Sequence, residues 1–301
     1  QYVGRRVGTR EGNPLDAYGH ALTSTPRLQG NNVKARHDHL KWVIGRVMEV
    51  LHVTVEASGL FNDLIHDPRY WQQSKSDRQR QGICPDFATP AGEGNRGTDR
   101  GTLFELKTFS MSSTGPGTGS RYKTKVSVRD SRHATNLRGR AIQSEYIRKA
   151  RKADQKWCGT PVGTQGPIEQ RLLQYGPVFG LTVGGFGEVN DNMDELVSLC
   201  ATRAAESKWR LMGADNLAQA VQTFKARIRR SIGVEGARGL ARLRLANLVH
   251  VHSFNRGSLS SCQLRQREKA YYYDARETHY NRFGPHAWFD PSMRGRSTHH
   301  C

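Results

Sequence analysis

Residues 82–90, GICPDFATP, and residues 102–110, TLFELKTFS, stand on either side of a run rich in glycine and charge, AGEGNRGTDRG at 91–101. Ile83 and Phe87 in the first piece, and Leu103, Phe104 and Leu106 in the second, have the apolar character of short strands, and the polar run between them reads as a turn. The two pieces therefore form a hairpin. Asp86 and Glu105 fall at neighbouring strand ends, and Lys107, two residues beyond Glu105, shares its sheet face because side chains alternate with a period of two.

Two carboxylates held close repel each other, so such a pair serves to hold a hard divalent cation or to share a proton. With a lysine beside them the arrangement suits phosphodiester hydrolysis. Asp86 and Glu105 would bind Mg2+, with Mn2+ as a substitute, the metal would polarise the phosphoryl oxygen and acidify a water, and Lys107 would steady the attacking hydroxide or the developing charge. The competing reading is a surface hairpin in which Glu105 pairs with Lys107 or a nearby arginine and no chemistry follows.

Outward from the hairpin, ARHDHLKWVIGRVMEVL at 35–51 places Leu40, Val43, Ile44, Val47, Met48 and Leu51 on one stripe of an amphipathic helix. HVTVEA, residues 52–57, alternates as a strand, and the polar DPRYWQQSKSDRQRQ separates it from the hairpin. After the hairpin, SMSSTGPGTGSRYKTK reads as a mobile loop ending in a basic cluster. From about 139 to 157 helical spacing returns, with Ile142, Tyr146, Ala150, Ala153 and Trp157 on one face and lysine and arginine crowding the rest. VFGLTVGGFG, residues 178–187, reads as a buried strand. NMDELVSLCATRAAESKW, ADNLAQAVQTFKARIRRSI and EGARGLARLRLANLVHV read as three further helices.

The expected fold class is thus α/β: residues 1–34 a loose basic arm, 35–190 an αβββαβ core on a mixed sheet, 191–252 a helical extension, and 253–301 an irregular tail. The 301 residues, 36% of them hydrophobic, suffice for such a core. Lysine and arginine number 46 against 27 acidic residues, a net charge of +19 that points to a polyanionic partner, DNA first and RNA as the other candidate. No run of apolar residues approaches a signal peptide or a membrane span, so no membrane partner is expected. Cys84, Cys158, Cys200, Cys262 and Cys301 form neither a disulfide framework nor a zinc motif. These features suit a soluble intracellular protein, nuclear if the host is eukaryotic. The chain opens on Gln1 and not on methionine, which reads as a processed product or an excerpt of something longer.

Pro85 and Asp86 as "PD", and Glu105, Leu106 and Lys107 as "ExK", resemble the PD-(D/E)xK restriction-like nucleases, and the order of elements matches that family's core. Arg36, His37 and Asp38, followed by a helix, a strand ending in Glu56 and the PD motif, look further like the endonuclease domains of some site-specific non-LTR retrotransposons. The resemblance spans about residues 35–187. It implies a restriction-like fold, a Mg2+-dependent DNA endonuclease of a mobile element, and cleavage leaving a 3′ hydroxyl able to prime synthesis.

The remaining candidates are less specific. Glu56 is either a further metal ligand or a solvated strand-end carboxylate. His37, at the start of the first helix, lies within reach of a scissile phosphate or serves as a structural histidine. Gln143 and Lys149 occupy the second long helix, where the resemblance implies a polar residue facing the site. Arg121, Lys123 and Lys125 suit phosphate contact, and read equally as a solvated charge run. The alternative to a nuclease is a basic, non-catalytic nucleic-acid-binding protein, or a degenerate nuclease fold retained as an assembly part.

Overall fold

The computed structural model describes residues 7, 15, 21–24, 32–57, 59–93, 100–108, 128–185, 187–248 and 251. A four-stranded mixed sheet lies at its centre in the order β1(Thr54–Val55), β2(Phe87–Thr89), β3(Thr102–Thr108), β4(Phe179–Val183). The pairs β1–β2 and β2–β3 are antiparallel, and β4 runs parallel to β3. The hairpin expected from residues 82–110 is β2–β3. Gly101 closes it at φ +91, where an added Cβ would lie 1.9 Å from the Thr89 carbonyl oxygen, so only glycine fits.

Alternation along β3 divides the molecule into layers. Phe104 and Leu106 turn to one face with Phe87, Phe179, Leu181 and Val183, where they meet α2(Asn32–Met48), α8(Asp191–Lys208) and α9(Leu217–Asn247). Leu103 and Ala88 turn to the other face, covered by α6(Val128–Trp157), α7(Pro167–Gln174) and two short helices, α3(Gly59–Asn62) and α4(Pro68–Trp71), with α5(Lys75–Gln81) tied to α4 and α6 by hydrogen bonds at Arg78 and Gln81. Burying a phenylalanine or leucine contributes about 1.5–3 kcal/mol, so Phe87, Leu103 and Leu106, each at 0% exposure, anchor both layers. On the parallel edge, Asn190 accepts from the Thr182 N–H and donates to the Gly180 carbonyl at 2.9 and 2.7 Å, and it also caps α8.

The order α2, β1, β2, β3, α6, β4 is the one the sequence predicts, with differences of physical origin. The expected strand at 52–57 shrinks to Thr54–Val55 because His52 and Glu56 both adopt positive φ, 52° and 55°. The polar stretch before the hairpin holds α4 and α5, started by the side chains of Asp67 and Ser74, which accept from the N–H groups of Arg69 and Asp77. The second and third of the expected C-terminal helices are one: α9 runs 31 residues, its buried stripe of Phe224, Ile228, Ile232, Gly236, Leu240 and Leu243 continuing unbroken through the expected boundary. Together α8 and α9 share a core with β3 and β4.

Parts of the expected arm are packed. Val7, Leu15 and Leu22 are buried together, Val7 bridges Val251, and Asn247 of α9 donates to the Leu22 carbonyl at 2.7 Å beside α1(Ala21–Ser24). The expected tail from 253 onward lies outside the described residues. Among the described residues no helix is long and apolar enough to cross a membrane.

Candidate active site

The β2–β3 register pairs Phe87 with Phe104, and its next step sets Asp86 opposite Glu105. Asp86, Glu105 and Lys107 therefore share the face covered by α6. Asp86 and Glu105 are buried, at 8% and 5% exposure, so their charges are governed by the groups they touch. Lys107 donates to Glu105 Oε1, and Tyr146 of α6 donates its hydroxyl to Glu105 Oε2 at 2.6 Å. On the other carboxylate, Asp86 Oδ2 accepts from the Leu106 N–H at 2.9 Å and lies 3.2 Å from His37 Nε2.

Helix α2 brings two cations over Asp86. His37 Nε2 also donates to the Leu106 carbonyl at 3.1 Å, while its Nδ1 lies 3.2 Å from Asp38. Both ring nitrogens face acceptors, which requires the imidazolium. Burial opposes that charge, yet the hydrogen bonds to Asp38 and Asp86 outweigh it and raise His37 to about 9. One turn on, Lys41 Nζ stands 3.5 Å from Asp86 Oδ1 and 3.0 Å from Glu56 Oε1.

The two central carboxyls are pushed apart. Burial works against ionised Asp86, but His37, Lys41 and the Leu106 N–H hold its carboxyl below the usual range. Burial, joined by repulsion from Asp86, pushes the Glu105 carboxyl above that range despite Lys107 and Tyr146. Burial and Glu105 also push the Tyr146 phenol far up, so it remains a neutral donor. A carboxylate pair with separated affinities for a proton is the pattern of paired acid–base or metal-binding carboxylates.

The other expected residues are spread around this centre. Glu56 joins the neighbourhood through Lys41, which stands between it and Asp86, and Gln79 of α5 donates to its other oxygen at 3.4 Å. Lys149 sits with its ammonium 4.9 Å from the centroid of the Tyr146 ring, one side chain removed from Glu105. Gln143 is engaged elsewhere: its Oε1 accepts from the Val178 N–H at 2.5 Å, ahead of β4. Arg121, Lys123 and Lys125 lie outside the described residues. Among the described residues no three His, Cys, Asp or Glu side chains converge as a ready cage for a metal ion. The cysteines described, Cys84, Cys158 and Cys200, are free thiols, and burial pushes Cys84 up to about 11.

Sequence reasoning missed Lys41 and gave Tyr146 only a packing role. Lys41 lies four residues from His37, one turn along the same face, which is the available signal. Tyr146 belongs to the buried stripe of α6, and its polar tip on an apolar face called for a partner. No protein-family model, curated protein or solved structure matches this chain.

Proposed function

We propose that the chain is a metal-dependent endonuclease of the restriction-like type that hydrolyses DNA phosphodiester bonds, as would serve a mobile element. The observation that carries this reading is the placement of Asp86 and Glu105 opposite each other in a buried hairpin, with Lys107 bonded to Glu105. Hard carboxylate oxygens are the donors a divalent cation takes. Two buried carboxylates face one another, and Asp86 Oδ2 and the Leu106 carbonyl already converge on one cationic donor, His37 Nε2. Asp86 and Glu105 would hold Mg2+ or Mn2+, which polarises the phosphoryl oxygen and acidifies a water when bound.

The chain's own groups do the rest. Lys107, on Glu105 Oε1, holds a water beside that carboxylate and stabilises negative charge as it develops. Tyr146 fixes the second oxygen of Glu105, so the carboxylate presents one orientation to the site. His37 and Lys41 supply positive charge on the α2 side, where a phosphate would otherwise meet Asp86 unscreened.

One observation favours a second reading, a basic nucleic-acid-binding module without turnover: Asp86, Glu105 and Glu56 each already have a cationic partner. Nicking of supercoiled plasmid separates the two. The wild type nicks with Mg2+, and Asp86→Asn and Lys107→Ala each lower the rate by about 100-fold or more, the scale of losing a group that acts on developing charge. Equal nicking by all of them, or by none, rejects the enzyme.

A further inference from the structure

We propose that α5 and the C-terminal half of α6 present one cationic rim beside Asp86 and Glu105, and that this rim takes the phosphate backbone of a DNA duplex. The placement of that duplex over the carboxylates rests on the endonuclease reading. The rim itself rests on geometry.

Helices α3 and α4, inserted with α5 before the hairpin, are seated on the same sheet face as α6. Phe61, Ile65 and Tyr70 share a buried cluster with Tyr146, Ala150 and Trp157, and the Tyr70 and Trp157 rings meet edge-on at 5.4 Å. Two polar contacts fix the rim above this floor. Lys156 Nζ at the end of α6 donates to Gln81 Oε1 at the end of α5, 2.7 Å away. At the other side Gln79 of α5 reaches Glu56, whose charge also feels Lys75. The insertion is thereby tied both to α6 and to the edge of the carboxylate site.

What the rim shows to solvent is positive. Lys75, Arg148, Lys149, Lys152 and Lys156 are all exposed. Nearby carboxylates are engaged: Asp63 by Arg171, Glu145 by Arg138, Glu169 by Arg151, Asp154 by the first N–H groups of α7, and Asp77 of α5 by the Ser74 hydroxyl that caps its helix. No ion pair joins Arg148, Lys149 or Lys152 to a carboxylate among the described residues. At a rise of 1.5 Å per residue, Lys149 to Lys156 covers about 10 Å, and α5 runs beside that stretch from Lys75 near Glu56 to Gln81 at Lys156. One strand of a duplex carries a phosphate about every 3.4 Å of axis, so the rim spans roughly three phosphates of a strand. Lysine, a point charge on a flexible stem, suits such sequence-blind contact.

The test is equilibrium binding of the full chain to a short fluorescein-labelled DNA duplex in EDTA, titrated with salt. The set Lys75→Gln, Lys149→Gln, Lys152→Gln and Lys156→Gln should bind about 100-fold more weakly near 0.1 M salt, with a salt slope shallower by about three to four. The same lysines changed to arginine should bind as the wild type does. Arg227→Gln with Arg230→Gln, exposed on α9 in the layer across the sheet, should change affinity by no more than about twofold. Should the full set melt early, Lys152→Gln with Lys156→Gln alone should still cost about tenfold. Wild-type affinity and slope in the glutamine set, or an equal loss from the α9 pair, overturns the rim. EDTA removes cleavage from the measurement, so a chain that binds through the rim and never nicks keeps this inference and loses the enzyme, and the reverse outcome does the opposite.

Discussion

Glu105 sits between two donors, the Lys107 ammonium and the Tyr146 hydroxyl, with a second carboxylate opposite. Tyr146→Phe keeps the ring in its buried cluster and removes only the hydroxyl that stabilises ionised Glu105. The Glu105 carboxyl should then rise further, so the acid limb of the rate–pH profile moves to higher pH. We expect kcat for nicking to fall about tenfold near neutrality with KM little changed, and stability to fall by about 1–3 kcal/mol because a buried acceptor loses its partner. A profile superimposable on the wild type would remove Tyr146 from the chemistry. That Asp86, Glu105 and Lys107 lie together was legible in the sequence because alternation and hairpin register are local rules. Lys41 and Tyr146 were not assignable that way, and His37 could be named but not its partner: the His37–Asp86 and Tyr146–Glu105 contacts span 49 and 41 residues and depend on how the helices dock.

The docking of α6 on β4 is decided by a pair of glycines. A Cβ on Gly180 would lie 2.5 Å from the Gly139 carbonyl oxygen and from Ile142 Cδ1, so the helix lies flush on the strand only while both positions lack side chains. Gly180→Ala should push α6 outward, cost about 1–3 kcal/mol by overpacking, and lower nicking because Tyr146 rides the same helix. Gly59→Ala, with nothing within 4 Å, should stay within about 0.5 kcal/mol in the same urea titration. Equal midpoints for the two variants would mean that the close approach constrains nothing. Elements with strong periodicity were readable: the stripe of α2 is buried from Leu40 to Leu51, and β3 falls within the expected hairpin arm. Helices α3–α5 were not, because four to seven residues give no period, and α4 and α5 start on single capping side chains. Helix α9 runs through Gly233 and Gly236, helix-weakening residues that are tolerated here because both lie against the end of β4 and its following turn.

Across the whole molecule, α2 carries His37 and Lys41 toward the carboxylates on one side and is held by α9 on the other. The two helices share the apolar core and also meet at Glu235: His39 Nε2 lies 2.8 Å from Glu235 Oε2, and Arg238 donates to Glu235 Oε1 at 2.8 Å. Burial opposes the charge on Glu235, but His39 and Arg238 overcome it and lower its carboxyl from 4.5 to about 2. A carboxyl depressed in the folded state binds its proton more readily when unfolded. Its contribution is therefore complete above about pH 4.5 and is lost as pH falls toward about 2. That difference corresponds to stability on the order of 3 kcal/mol at neutral pH. Because α9 shares its core with β3 and β4, losing this contact loosens the wall behind the site and not a separate appendage. Glu235→Gln should lower the urea midpoint at pH 7 and, between about pH 4.5 and 2.5, flatten the fall of stability by up to about 1.4 kcal/mol per pH unit, one proton's share. An acid limb of unchanged steepness in the variant would place the acid sensitivity in other carboxylates and leave α9 held by its apolar stripe alone.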